Sequence, residues 1–333
     1  MAATEVLEPR RGVQLRVWAA AAFVLAITVS LVGVGVDETQ GAQTFALVFT
    51  AIVAEALPFV LLGALAAALL EVYVPDRVFA RIAHLPLALQ LPAAVAGGFA
   101  FPVCECGSVP VARRLIAKGM HPSAGLAFMI ASPIFNPIVL GSTWVAYEAR
   151  GLGLEMVLGR AGLGLVLAIV AGWAIGTEGT RDLLRPPPDC DHAHDASCCS
   201  SKQQSFVSHL IADFFYMGKF LILGAALAAT MQAVIPQSLI SGAASSPVIA
   251  ALALMGVAFI LSLCSEADAF VAVSFTPFPI GSQLAFLVFG PILDFKLFFL
   301  YGATFRRRLV GSLAVIAIPV TLAGALWFEV VMS

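Results

Sequence analysis

Long apolar stretches alternate with short polar segments along almost the whole chain. The first covers Val17–Val36, and the second runs from about Thr44 to Leu70. Further apolar stretches lie at about Ala124–Ala146, Leu154–Ile175, Leu210–Val234, Pro247–Leu263, Leu284–Thr304 and Leu309–Val330. About 20 consecutive apolar residues are enough for an α-helix to cross a bilayer. The pattern therefore predicts an all-α protein that crosses the membrane several times and begins with an extra N-terminal transmembrane helix.

Two apolar segments are interrupted by polar residues that a lipid-facing helix would not carry. These residues are Cys104, Glu105 and Cys106 in the first segment, and Cys264, Glu266 and Asp268 in the second. Non-helical backbone is tolerated at membrane depth only where it is buried in protein or lines a cavity. We therefore predict that Leu91–Gly119 and Pro247–Pro279 are re-entrant hairpins, each broken at its cysteine motif.

The two interrupted regions also resemble each other. Leu126–Asn136, LAFMIASPIFN, aligns without a gap with Leu284–Asp294, LAFLVFGPILD, at a separation of 158 positions (284 − 126). Cys106 and Cys264 stand at the same separation (264 − 106). The sequence therefore predicts an internal duplication, in which Asn136 and Asp294 occupy equivalent positions.

The basic residues of the loops indicate how the two halves are oriented. If both hairpins enter and leave on one side, almost all loop Lys and Arg residues fall in the cytoplasm, and only Arg150 and Arg160 lie outside. Lys and Arg favour cytoplasmic loops, so this model fits better than one in which both segments cross fully. It makes the halves inverted repeats, an architecture that secondary transporters use.

The predicted organisation has four parts. They are an N-terminal tail and first helix (1–43), a first membrane repeat (44–176), a polar linker (177–208) and a second membrane repeat (209–333). Composition agrees with this, since 60% of the residues are hydrophobic and only 11% are charged, against about 25% charged in soluble domains. The lipid bilayer is thus the expected partner. With a net charge of −2 and no basic face, nucleic acid is not expected to bind.

Thiols and carboxylates inside apolar segments are the candidate chemistry. The predicted substrate-binding residues are Cys104, Glu105, Cys106, Asn136, Cys264, Glu266, Asp268 and Asp294. Thiolates prefer soft metal ions, whereas a buried cysteine can also be a small hydrophobic residue. Carboxylates at membrane depth imply an ion path, a proton relay or a paired partner, and Glu55 is a further candidate for the relay. A nearby Arg would explain the carboxylates equally well.

The polar linker holds a second group of possible metal ligands. They are Cys190, His192, His194, Cys198 and Cys199. Their spacing does not match a closed zinc-finger pattern, so one interpretation is a flexible tract that senses or delivers a metal. A solvated linker with three consecutive prolines is the other interpretation.

Three stretches carry a resemblance to a known family: FPVCECGSVPVARRL, GLAFMIASPIFNP and LCSEADAFVAVSF. They resemble the predicted-permease family, which includes the ArsP-type organoarsenical efflux permeases and the YraQ-like permeases. The resemblance implies a multi-pass permease of the cell inner membrane. In the ArsP branch it also implies that Cys104 and Cys106 recognise trivalent organic arsenic, although Glu105 departs from the small polar residue of that branch.

These observations predict a secondary permease and not an enzyme. We expect it to export a soft metal, a metalloid or a small thiophilic solute by alternating access. The sequence has no nucleotide-binding loop and no hydrolase or metalloprotease motif, and no cofactor is expected. The alternative is a membrane-embedded redox protein whose Cys104–Cys106 pair cycles between dithiol and disulfide.

Overall fold

The computed structural model describes residues 40–73, 86–100, 103–175, 184, 202–234 and 246–332. In these ranges the chain forms twelve α-helices and no β-sheet. The first half contains α1 (Gln40–Tyr73), α2 (Leu87–Ala100), α3 (Glu105–Ala117), α4 (Pro122–Phe135), α5 (Pro137–Glu148) and α6 (Gly153–Ile175). The second half contains α7 (Lys202–Val234), α8 (Pro247–Leu261), α9 (Asp268–Ala272), α10 (Ile280–Phe289), α11 (Phe295–Thr304) and α12 (Arg307–Met332).

Five segments of the described chain are long and apolar enough to cross a membrane. They are Ala42–Tyr73, Pro122–Glu148, Gly153–Ile175, His209–Thr230 and Arg308–Met332. The apolar helices α2, α8 and α10 have 10 to 15 residues, fewer than the about 20 that a full crossing needs. The prediction of an all-α, multi-pass membrane protein is confirmed. The predicted first span, Val17–Val36, lies outside the described residues.

Helices α2 and α3 form a hairpin that returns to the end of the molecule where it began. The Gln90 side chain, near the start of α2, accepts a hydrogen bond from the His121 backbone N–H just before α4, at 3.3 Å. At the end of α3, Lys118 Nζ donates to the carbonyls of Leu70 (3.2 Å) and Glu71 (2.9 Å) near the end of α1. This is the geometry that the sequence predicts for Leu91–Gly119.

The break after α8 depends on one unusual backbone conformation. Ser262 has a φ of 49°, and it is the one non-glycine residue with positive φ in the described chain. Its N–H still bonds to the Ala258 carbonyl, so it ends the helix and turns the chain away. The carbonyls of Ser262 and Leu263 consequently lack helical partners and point to a buried side chain described below.

The long helices α1 and α7 run antiparallel. Phe49, early in α1, lies in one hydrophobic cluster with Ala228, late in α7. At the other end, Arg114 of α3 bridges Glu71, late in α1 (3.1 Å), and Asp213, early in α7 (2.9 Å). Antiparallel packing is what an inverted duplication requires if α1 and α7 are equivalent helices.

The last helix of each half shows the same relation. Phe328, late in α12, packs over Gly159 early in α6, and Leu163 of α6 packs over Gly324 of α12. Helices α6 and α12 therefore also run antiparallel. The helix order and these two contacts support the predicted inverted repeats, and the duplication itself stays a prediction, as do the boundaries of the four parts.

Arg160 corrects one expectation about the loops. The charge distribution places it outside the membrane, yet its side chain is fully buried within α6. A buried guanidinium needs partners that repay its desolvation. The partners that Arg160 has are part of the site.

Replacement of Gly63 by Val should destabilise the contact between α1 and α3. A Cβ atom at Gly63 would overlap the Cα of Gly107, and backbone cannot give way as a flexible side chain can. Overpacking of this kind costs about 1–3 kcal/mol, so the melting temperature of the purified protein in detergent should fall clearly.

Gly162→Val in α6 is the matched control for this change, because among the described residues no atom beyond the local backbone of α6 lies within 4 Å of a Cβ at that position. We expect its melting temperature to stay close to that of the wild type. Equal melting temperatures for the two variants would contradict close packing at Gly63.

Candidate functional site

A buried ion pair joins the two halves at the broken hairpins. Glu105 is the first residue of α3, where the positive end of the helix dipole favours a carboxylate, and Lys296 is the second residue of α11. Lys296 Nζ lies 2.7 Å from Glu105 Oε1, and the side chains are 2% and 1% exposed. The second oxygen, Glu105 Oε2, accepts a hydrogen bond from Ser265 Oγ at 3.0 Å.

The Lys296 ammonium is surrounded by further oxygens. It donates to the Leu263 carbonyl at 3.0 Å and to the Ser262 carbonyl at 3.2 Å, the two groups freed by the break after α8. Asp294 Oδ2 lies 3.5 Å away, while Asp294 Oδ1 caps α11 by accepting from the Leu297 N–H at 2.6 Å. The oxygens form a cradle for a cation.

Two thiols adjoin the same carboxylate. Cys104 Sγ, a carboxylate oxygen of Glu105 and Cys264 Sγ all lie within 4.8 Å of one another, and all three residues are buried. Cys106 is also buried, and its side chain interacts with that of Cys104. The three cysteines are free thiols. Each broken hairpin thus contributes sulfur to one cluster.

Glu266 lies at the edge of this cluster. Its Oε2 accepts a hydrogen bond from Cys264 Sγ at 2.8 Å. Its other oxygen, Oε1, is buried and has no hydrogen-bond partner among the described residues. Buried polar groups are nearly always paired, so this oxygen marks a place where a ligand or water would be stabilised.

A cavity of about 130 Å³ opens beside the cluster. Its walls come from α1, α7, the end of α8 and the start of α11, and Glu55, Gln232, Cys264 and Lys296 are among the residues that line it. A volume of this size holds several water molecules. The cavity connects the weaker candidate Glu55 with the thiol cluster.

Asp268 has a different partner. Its carboxylate forms a two-pronged ion pair with Arg160, at 2.9 Å from Nη1 and 2.7 Å from Nη2. Arg160 also donates to Thr143 Oγ1 (2.9 Å) and to the Ser265 carbonyl (3.2 Å). This is the Arg-pairing alternative that the sequence left open, and it fixes the second hairpin to α5 and α6.

Asn136 is not in the thiol cluster. It lies between α4 and α5, where its Oδ1 caps α5 by accepting from the Ile138 N–H at 3.0 Å. Asp294 likewise caps α11, so the two positions that the predicted duplication aligns share a structural role. The linker residues Cys190, His192, His194, Cys198 and Cys199 lie outside the described residues.

The sequence interpretation did not single out Lys296. Its signal is a lysine two residues after Asp294 in an apolar stretch, and a charged residue at membrane depth is by default functional. Ser265 was also missed, because a serine beside Cys264 carries no signal by itself.

Comparison with known proteins agrees with this architecture. A family model described as "Predicted permease" matches residues 42–329. The chain belongs to the predicted-permease family. The match includes both broken hairpins and every residue of the thiol cluster.

Two curated relatives extend the comparison. The permease is 38% identical over 281 residues to the UPF0718 protein YcgR of Bacillus subtilis (strain 168), covering 84% of this chain and 95% of the relative. It is 33% identical over 266 residues to a putative two-component membrane permease complex subunit of Streptococcus mutans (serotype c, strain ATCC 700610 / UA159), covering 79% and 87%. No solved structure matches the chain.

Family membership and the five spanning segments together establish the broad class. The chain is a multi-pass membrane permease, which agrees with the predicted location in the cell inner membrane. The Streptococcus relative is named as a permease complex subunit, and neither relative's name specifies a substrate or an enzyme activity.

Replacement of Asp268 by Ala in the permease should be strongly destabilising. It leaves the Arg160 guanidinium buried without its carboxylate, and breaking a buried pair in this way costs about 3–5 kcal/mol. The fall should be visible in the melting temperature of the detergent-solubilised protein.

The double variant Arg160→Met with Asp268→Leu is the matched control for this prediction. It removes both charges and should recover much of the lost stability, because an apolar pair of similar volume often replaces a buried ion pair. A wild-type melting temperature for Asp268→Ala would show that the pair does not hold the hairpin.

Proposed function

We propose that this permease exports a soft or borderline metal ion, with Zn²⁺ as the reference cargo, by alternating access. The observation that carries the proposal is the buried cluster of Cys104, Glu105 and Cys264, whose ligand atoms all lie within 4.8 Å of one another. Two sulfurs and one carboxylate oxygen are ligands that Zn²⁺ accepts, and a fourth position left open suits a cargo that must also leave.

The chemistry of the neighbouring groups supports a metal. Cargo binding needs thiolates, so each thiol that coordinates the ion releases a proton. Glu266 already accepts a hydrogen bond from Cys264. It is therefore placed to receive the proton that the Cys264 thiol releases. Cys106, beside Cys104, adds a third sulfur, which extends the proposal to thiophilic metalloids such as trivalent arsenic.

The position of the cluster supports transport. It lies where two broken hairpins meet, and each half of the chain contributes ligands. Secondary transporters built from inverted repeats place their sites at such helix breaks, near the middle of the membrane. In this proposal a change in the relative position of the halves exposes the ion first to one side and then to the other, and proton exchange through Glu266 and Glu55 drives the cycle.

The remaining predicted residues take supporting roles in the proposal. Asp268 positions the second hairpin through Arg160, while Asn136 and Asp294 cap the helices that follow the breaks. Asp294 also faces the Lys296 ammonium. In the proposal, Asp294 therefore lies next to the cargo, whereas Asn136 and Asp268 do not contact it.

A thiol–disulfide redox function is the second candidate. It is favoured by the closeness of the free thiols of Cys104 and Cys264. The two functions differ in how alkylation of these thiols responds. A cargo site is protected by added metal under reducing conditions, whereas a redox pair changes its labelling with the oxidant and not with the metal.

Serine at Cys104 or Cys264, or glutamine at Glu105, should strongly lower the export activity of the permease. Each change removes one cargo ligand from a site with three, so we expect at least a tenfold fall in Zn²⁺ uptake into everted vesicles. Cells of a metal-sensitive host that express the variants should lose zinc resistance in parallel.

Cys106→Ser is the matched control, since it changes the same residue type in the same segment but not a member of the closest cluster. Its effect on zinc should be smaller. Normal membrane levels of all four variants must be shown by blotting. Unchanged resistance to zinc, copper and arsenicals in Cys104→Ser and Cys264→Ser would overturn the proposal.

Because the Streptococcus relative is named as a complex subunit, efflux should also be measured with the purified chain alone in proteoliposomes.

A further inference from the structure

Lys296 occupies a place built for a cation. Its ammonium is bounded by Glu105 Oε1 at 2.7 Å, the carbonyls of Leu263 and Ser262 at 3.0 and 3.2 Å, and Asp294 Oδ2 at 3.5 Å. Two carboxylate oxygens and two helix-break carbonyls are the ligands with which transporters hold a cation at membrane depth. Here a side chain of the protein supplies the positive charge.

The same carboxylate belongs to the metal cluster. Glu105 contributes its oxygen to the group with Cys104 and Cys264, and it also holds Lys296. An ammonium and a divalent ion at neighbouring positions around one carboxylate repel each other strongly in a medium of low dielectric constant. The two cations therefore compete for Glu105.

The structure provides a second place for the ammonium. Lys296 lines the cavity of about 130 Å³, and Glu55 on α1 lines it as well. The backbone of Lys296 packs against Gly224 of α7, where a Cβ atom would overlap the Lys296 Cα. The backbone is thus held in place, while the four-carbon side chain can turn between the two positions.

We propose that Lys296 is a tethered counter-ion, which holds the Glu105 carboxylate while the cargo site is empty and swings into the Glu55 cavity when the metal binds. The proposal rests on the metal-export function proposed above. It explains how the site selects a soft metal and how Lys296 returns to Glu105 after the metal leaves. A hard monovalent cation would bind the same carboxylate and carbonyl oxygens as the ammonium, so it gains no additional ligand by replacing Lys296. A soft metal gains the two sulfurs in addition and so displaces the lysine.

Two substitutions at Lys296 separate competition from a purely structural role. Lys296→Met removes the competing charge, so Zn²⁺ should bind the purified permease at least tenfold more tightly, while efflux slows because no counter-ion expels the metal. Lys296→Arg keeps a charge that grips the Glu105 carboxylate with two hydrogen bonds, so Zn²⁺ should bind at least tenfold more weakly. Isothermal titration calorimetry measures both affinities.

Lys219→Met is the matched control, because Lys219 lies on the exposed face of α7, over the Tyr216 ring at 4.5 Å and away from the cluster. Its zinc affinity should equal that of the wild type. If Lys296 only stabilised Glu105, both Lys296 variants would bind zinc more weakly. That result would overturn the counter-ion proposal.

A measurement on the wild-type protein keeps the test decisive if Lys296→Met fails to fold. The permease is treated with a small acylating reagent with and without Zn²⁺, and the modified lysines are quantified by mass spectrometry. Zinc should raise the labelling of Lys296 at least threefold while it protects Cys104 and Cys264 from alkylation. Thiol protection with unchanged or reduced Lys296 labelling would overturn the counter-ion proposal alone. Zinc that protects neither thiol would overturn the proposed metal site itself.

Discussion

The ion pair between Glu105 and Lys296 is the contact on which the arrangement of this permease depends. Each charge would be very costly at membrane depth by itself, and each is almost completely buried. The pair can form only if the first hairpin, which is broken just before Glu105, meets α11 of the second half. The requirement to neutralise one carboxylate therefore brings the two halves together at the point where both helices are broken.

A second buried pair also joins the two halves, but here the first half supplies the cation and the second half the carboxylate. Asp268 of the second hairpin is bound by Arg160 of α6, so each hairpin is held by a cation from the other half. Ser265 connects the two pairs, since its hydroxyl donates to Glu105 and its carbonyl accepts from Arg160. Because all of these groups depend on partners across the halves, neither half has a complete site by itself.

The thiol cluster lies inside this network, and its composition sets the chemistry of the site. In the proposed function, sulfur from Cys104 and Cys264 selects for a soft ion, while Glu105 supplies a charge that Lys296 neutralises in the empty site. In the proposed exchange, the cavity beside Glu55 receives the Lys296 ammonium when the metal binds. Glu105 then has a cationic partner both when the site is empty and when it is loaded, which lowers the cost of holding its charge in a medium of low dielectric constant.

The sequence by itself determined the membrane class, the position of most spans and the helix breaks at the two cysteine motifs. The equivalence of Asn136 and Asp294 stays a prediction. These features are local, because helix formation and hydropathy depend on neighbouring residues. Only the tertiary structure decided which charges pair. Lys296 lies 191 positions from Glu105, and Arg160 lies 108 positions from Asp268. No periodicity links residues so far apart, since their contact results from how the helices pack. For the same reason the sequence left Arg160 outside the membrane and overlooked the lysine that completes the site.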